Sequence, residues 1–195
     1  MEKFIAVTGP RGAGKEIILN KILRLDVIKS RGFNRIIPFT TRASRKSEVD
    51  GREYYFMSPN EVQKFSNGEI LYKVKIGEGN KAYYSGTLAE EFYRHQNGII
   101  DVTVEGGKVL SSYSKSSLLL YVYASEEERI GRVMERQNLT ITEAANLISN
   151  EPCPSTWQVL KKLYGDFHLI HNPNGYNPDY EIEGIICEFL KASVA

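Results

Sequence analysis

The stretch "TGPRGAGKEIIL", Thr8 to Leu19, decides the fold. Before it, "KFIAVTG" is a short apolar, partly β-branched run closed by Gly-Pro, the pattern of a fully buried strand in a parallel sheet. After it, "GKEIILNKILRL" puts Ile17, Ile18, Leu19, Ile22, Leu23 and Leu25 mostly on one helical stripe. A glycine-rich loop between a buried strand and a helix is the setting in which G-x-x-x-x-G-K acquires meaning, and Gly9, Gly12, Gly14 and Lys15 satisfy it. Small residues let backbone N–H groups approach phosphate oxygens, the helix start adds partial positive charge, and lysine reaches the outer phosphates. The phosphate-binding segment is then Gly9, Pro10, Arg11, Gly12, Ala13, Gly14, Lys15 and Glu16; the alternative is a chance glycine turn. Glu16 stands where such loops carry Ser or Thr. Its carboxylate is compatible with a magnesium ligand, with repulsion of a triphosphate, or with an ordinary first-turn residue stabilised by the helix dipole.

Outward from the loop, strands and helices alternate. "NRIIPFTTR" is expected as a second short strand interrupted by Pro38, and "REYYFMS" as a third. Ser58, Pro59 and Glu61 mark a capped helix start. "GEILYKVKI" and "KAYYSG", separated by "GEGN", alternate as antiparallel strands. "NGIIDVTV" and "SLLLYVYAS" are expected core strands, the latter entering a helix capped by Ser125 and Glu128. "FHLIHNP" gives a last strand and "YEIEGIICEFLKA" a closing helix. This order predicts a three-layer α/β fold with a β-rich insertion.

The 195 residues carry a net charge of +1, which argues against a generic nucleic-acid or membrane binder. The charge is uneven: Lys29 to Arg52 holds seven basic and two acidic residues, a region suited to anions. Cys153 and Cys187 have no zinc-binding spacing and are expected as reduced, buried thiols in a cytoplasmic protein. The apolar run after "MEK" is too short for a signal or membrane segment.

A second cluster, "TTRASRKSEVDGREYYF", places Arg42 and Arg45 three apart, with Tyr54 following an acidic turn. Two guanidiniums can clamp a phosphomonoester through charge-assisted bonds, with a tyrosine hydroxyl as a further donor. A solvated basic loop is the alternative. The loop "GPRGAGK", this cluster, "GNKAYYSGT" and "IIDVTVEG", in that order and at those distances, resemble the guanylate kinase family over nearly the whole chain. The arginine cluster with "DGREYYF" is the specific part, since many unrelated NTPases share the loop.

The resemblance implies a P-loop NTPase core with a parallel sheet (residues 1–33 and 98–195), a small β-rich acceptor-binding lobe (about 34–97) and a helical lid (about 132–160). It implies transfer of the ATP γ-phosphoryl group to a nucleoside monophosphate, GMP by default, with Mg²⁺, in a monomer or homodimer that binds nucleotides rather than nucleic acid. Lys15 and the loop amides would hold ATP; Arg42, Arg45, Tyr54 and Tyr84 the acceptor phosphate; Asp101 and Thr87 the guanine. Arg132 and Arg136 match arginines that the family points at the phosphates, though Glu128 could pair with Arg132 on a solvated face. Several positions depart from the pattern. Pro38 replaces a guanine-contacting serine; Tyr72 replaces a guanine-reading glutamate, with Glu69 three residues away; Thr103 replaces the second acid of a DxD strand. No arginine follows Arg136, so the lid arginine has at best Lys161 or Lys162 in its place. These departures leave open a kinase of another phosphorylated compound, such as a ribosyl phosphate, or an impaired nucleotide-binding module.

Overall fold

The computed structural model describes residues 1–46, 48–79, 82–149 and 167–191. Strand β1 (Lys3–Thr8) runs into the glycine loop and helix α1 (Lys15–Arg24), followed by α2 (Asp26–Ser30) and β2 (Phe33–Arg35). With β7 (Asn97–Asp101), β8 (Ser116–Tyr123) and β9 (His168–His171), these strands form an all-parallel sheet of order β2-β7-β1-β8-β9. Successive residues of β1 face opposite sides, and each side is covered. Ile5 and Val7 pack with Ile18, Leu19 and Ile22 of α1 and with Ile182, Ile186 and Leu190 of α8 (Asp179–Lys191). Phe4 and Ala6 pack on the other side with Phe92, Ile100 and Leu110. The three-layer α/β architecture expected from the sequence is thus formed. Ile17 falls off the α1 stripe and is 54% exposed.

A second sheet, of order β4-β3-β6-β5, is built from β3 (Phe39–Thr40), β4 (Tyr55–Phe56), β5 (Ile70–Ile76) and β6 (Tyr83–Leu88). Its β5–β6 pair is antiparallel, as the alternation of those segments predicts. The segment around Pro38 does not form one strand. Phe33–Arg35 joins the core sheet and Phe39–Thr40 the second, because proline has no N–H to continue a ladder. Pro38 therefore lies where the chain passes from one sheet to the other. Helix α3 (Pro59–Gln63) has the expected Ser58/Glu61 capping box, and α4 (Ala89–Tyr93) returns the chain to the core.

"NGIIDVTV" also differs from expectation. The strand stops at Asp101, and Thr103 caps α5 (Val104–Ser111) by accepting from Gly106 N–H at 3.1 Å. Helices α6 (Glu126–Gln137) and α7 (Ile141–Ile148) follow β8, each opened by a capping box. Of the lid expected over about 132–160, residues 150–160 lie outside the described residues, as do Cys153, Lys161 and Lys162. Cys187 is a free thiol, half-buried rather than buried. Among the described residues no helix is long and apolar enough to cross a membrane.

Candidate active site

The glycine loop owes its shape to close approaches on its outer side. Gly9 has φ of 138°, and any Cβ there would collide with the carbonyl of Val122 on β8. Gly14 has φ of 92° and serves as the N-cap of α1 without a side chain, while a Cβ would strike Asn172. Three side chains hold the loop's carbonyls outward. Arg129, 1% exposed, donates Nε to Arg11 O at 2.8 Å. Arg132 donates to Gly12 O at 3.2 Å and Ala13 O at 3.3 Å, and Asn172 Nδ2 donates to Ala13 O at 2.8 Å. In a trans peptide the N–H lies opposite the carbonyl, so the amides of Gly12 and Gly14 turn inward, where an anion would sit. Lys15 Nζ lies across the loop, 3.2 Å from Pro10 O.

Inward of the loop lies a cavity of about 430 Å³ that joins the two sheets. Gly9, Pro10, Arg11, Gly12 and Lys15 of the loop line it. Arg45, Arg136 and Tyr54 line it as well, as do Pro38, Tyr72, Thr87 and Asp101. Arg45 and Arg136 converge with Arg42, which is not part of the lining, on one carboxylate. Glu48, its side chain 6% exposed, accepts from Arg42 at 2.6 and 2.8 Å, from Arg45 Nη1 at 2.9 Å and from Arg136 Nη2 at 3.4 Å. The Arg42 guanidinium also lies over the rings of Tyr54 and Phe56, at 5.0 and 5.6 Å. Burial would raise the Glu48 pKa, but the Arg42 hydrogen bond, the Arg45 N–H and both positive charges carry it from 4.5 down to about 2. Arg45 is lowered by burial and by its neighbours Arg136 and Arg42. One carboxylate does not neutralise three guanidiniums, and the excess positive charge suits a phosphate dianion. Burial and the nearby Asp101 push the Tyr54 hydroxyl well above its ordinary range, so at neutral pH it can donate.

The rest of the lining is mostly apolar. Along β5, Tyr72, Val74 and Ile76 face the cavity; along β6, Tyr83, Ser85 and Thr87 do. Tyr84, expected at the acceptor phosphate, is out of phase with these. It is 38% exposed with Lys73 Nζ over its ring, and the period of two gives Tyr83 the inward place. Tyr72 OH and Thr103 Oγ1 are 2.7 Å apart, so two of the departures from the family pattern are the two ends of one hydrogen bond. Glu69 does not take Tyr72's place: its carboxylate accepts from Ser66 N–H, away from the cavity. Thr87 Oγ1 is buried without a hydrogen-bond partner among the described residues, and Asp101, the last residue of β7, also lines the cavity. Burial pushes the Asp101 carboxyl up, Lys15, Arg35 and Arg136 pull it down, and Glu16 adds to the rise.

Two further expectations change. Arg132 does not face the cavity; beyond the loop carbonyls it donates to Asn172 O at 2.8 Å and Asn174 Oδ1 at 2.8 Å, a brace behind the loop. Nor does it pair with Glu128, whose carboxylate accepts from Ser125 and the Asn174 N–H. Glu16 is not presented as a metal ligand: both its oxygens accept from Arg35, at 2.6 and 2.9 Å, and Oε1 also from Asn20 at 3.1 Å. Sequence reasoning missed Arg35, Glu48 and Tyr83. Glu48 was detectable as the acid three residues beyond Arg45 in a basic run, and Tyr83 by counting back from Thr87 in steps of two. Arg35 left no such signal.

The guanylate kinase family model matches residues 1–151. The guanylate kinase of Porphyromonas gingivalis is 30% identical over 142 residues, covering 70% of this chain and 73% of that protein. That of Clostridioides difficile is 26% identical over 186 residues, covering 94% and 86%. Among solved structures, a guanylate kinase from Anaplasma phagocytophilum matches with a TM-score of 0.62 at 17% identity, over 100% of this chain and 87% of that one. The last likeness speaks for the fold alone. The family model spans well over half of the chain, and on that ground the chain belongs to the guanylate kinase family.

Proposed function

We propose that this protein is a nucleoside monophosphate kinase that transfers the ATP γ-phosphoryl group to a nucleoside monophosphate, GMP by default. The observation that carries the reading is the single cavity in which the glycine loop and Lys15 face Arg45, Arg136 and Tyr54. An acceptor phosphate oxygen would attack the γ-phosphorus as the bond to the ADP β-phosphate oxygen breaks, with no covalent enzyme intermediate. Catalysis would come from alignment and charge neutralisation by Lys15 and the arginine clamp. Magnesium, implied by the family, has no ready-made cluster of three or more His, Cys, Asp or Glu among the described residues, and there Glu16 is committed to Arg35 and Thr103 to Tyr72 and its helix cap. An ion arriving with ATP would be ligated by phosphate oxygens and water.

The apolar wall favours a second reading of the acceptor. Pro38 offers no hydroxyl, the Tyr72 hydroxyl is engaged by Thr103 and the Ser85 hydroxyl donates to Phe39 O at 3.0 Å, which leaves Asp101, Thr87 and Glu105 among the polar groups that line the cavity. Discrimination between GMP and AMP should then be weak, within about 2 kcal/mol, as for a pocket that does not hydrogen-bond the distinguishing groups. The check is kcat/KM from coupled ADP release over a panel of nucleoside monophosphates and ribosyl phosphates. A ribosyl phosphate as the best substrate would support a non-nucleotide acceptor. Absence of turnover with every acceptor would overturn the kinase reading, and strong GMP preference would return the guanine reading to Asp101 and Thr87.

A further inference from the structure

The ion pair between Glu16 and Arg35 joins the first turn of α1, which follows the phosphate loop, to the end of β2. A free carboxylate at position 16 would lie next to the phosphates of any nucleotide on the loop and repel them. Here the carboxylate is held in a two-pronged grip by a guanidinium whose side chain is only 16% exposed. Arg35 Nε is buried without a hydrogen-bond partner among the described residues, so the group is kept for its two terminal nitrogens and its charge. Both members act on the site's own carboxylate: Arg35 draws the Asp101 pKa down and Glu16 pushes it up. The pair therefore belongs electrically to the active site, although neither side chain lines the cavity.

We infer that Arg35 is a positioning residue for the donor nucleotide: it holds and neutralises Glu16, allowing a phosphate loop with an acid after its lysine to accept a triphosphate. The inference rests on the nucleotide-binding reading of the loop. It predicts paired behaviour. Loss of Arg35 alone exposes a negative charge to the nucleotide, whereas loss of both members restores neutrality.

The test is calorimetric titration with ATP and ADP of the wild type, Arg35→Met, Arg35→Lys, Glu16→Gln and the Glu16→Gln/Arg35→Met double variant, with thermal midpoints recorded for each. Arg35→Met should weaken ATP binding about tenfold or more, and ADP binding less, because repulsion grows with phosphate charge. Arg35→Lys should fall between, keeping the charge but not the planar fork. The double variant should return to within about threefold of wild type, a rescue that a merely structural Arg35 would not give. In an active enzyme the loss should appear in KM for ATP rather than in kcat. Glu16→Gln alone should bind ATP as tightly as wild type or more so, and this arm decides the matter if Arg35→Met does not fold. ATP affinity within twofold of wild type in Arg35→Met, equal losses for ATP and ADP, no rescue, or weaker ATP binding in Glu16→Gln would each overturn the inference. Failure of the wild type to bind either nucleotide would overturn the loop reading and the inference together, and is distinguishable from the other results.

Discussion

Exchange of Lys15 for methionine will lower the rate of phosphoryl transfer by about 10²–10³-fold with little change in stability, the size of effect that follows loss of one preorganised positive donor at a developing charge. Lys15 lines the cavity, and among the described residues its ammonium group bonds only to Pro10 O at 3.2 Å. Such a contact is weak enough to be exchanged for phosphate oxygens, so removing it costs the free protein little. Stopped-time assays at saturating ATP give the rate, and thermal melting gives the stability. A Lys15→Met protein that melts like the wild type and turns over at the wild-type rate would remove Lys15 from the chemistry. A pH effect accompanies the change. Lys15 is the foremost charge holding the Asp101 pKa down against burial, so its loss moves that pKa higher still. If ionised Asp101 accepts the N–H groups of the base, the acid limb of the pH–rate profile shifts upward in the variant.

The sequence carried those features whose causes are local, and lost those that depend on partners far along the chain. The strand, loop and helix from Lys3 to Arg24 were legible because a buried run, three glycines and a helical stripe lie side by side. The alternation of "NGIIDVTV" extends the strand through Thr103, because a cap and a β-branched strand residue are alike in sequence and only the Gly106 N–H that donates to the hydroxyl separates them. The resemblance assigns Tyr84 to the acceptor phosphate, and only the pairing of Lys75 with Tyr84 and Ile76 with Tyr83 fixes the phase that turns Tyr83 to the cavity. Glu16 had three readings, and only a guanidinium 19 residues away selects among them. Arg132 shows the same limit from the other side. Its place on α6 suits a phosphate contact, but Asn172 and Asn174 after β9 complete a binding site for its guanidinium behind the loop. Arg136, one helical turn on, reaches the cavity instead.

The clamp supplies the last expected result, which concerns Glu48. Its pKa is depressed from 4.5 to about 2, so its contribution to stability is fully present above pH 4.5 and is lost as the pH falls through about 2. A shift of that size corresponds to about 3 kcal/mol at neutral pH. Glu48→Gln should therefore lower stability by about 3 kcal/mol at pH 7 and flatten the dependence of stability on pH between 4.5 and 2, because the amide does not titrate. The same change should strengthen anion binding. In the free protein the carboxylate engages Arg42, Arg45 and Arg136; with glutamine there, the three guanidiniums repel one another and a phosphomonoester dianion relieves that repulsion without competing with a carboxylate. The rise in melting temperature on adding GMP should accordingly be larger for Glu48→Gln than for the wild type. Denaturant unfolding across the acid range together with melting in the presence of GMP checks both halves. An unchanged acid limb would mean that the arginines do not hold Glu48 in its charged form. A smaller GMP shift would mean that Glu48 orders the clamp for the phosphate rather than competing with it.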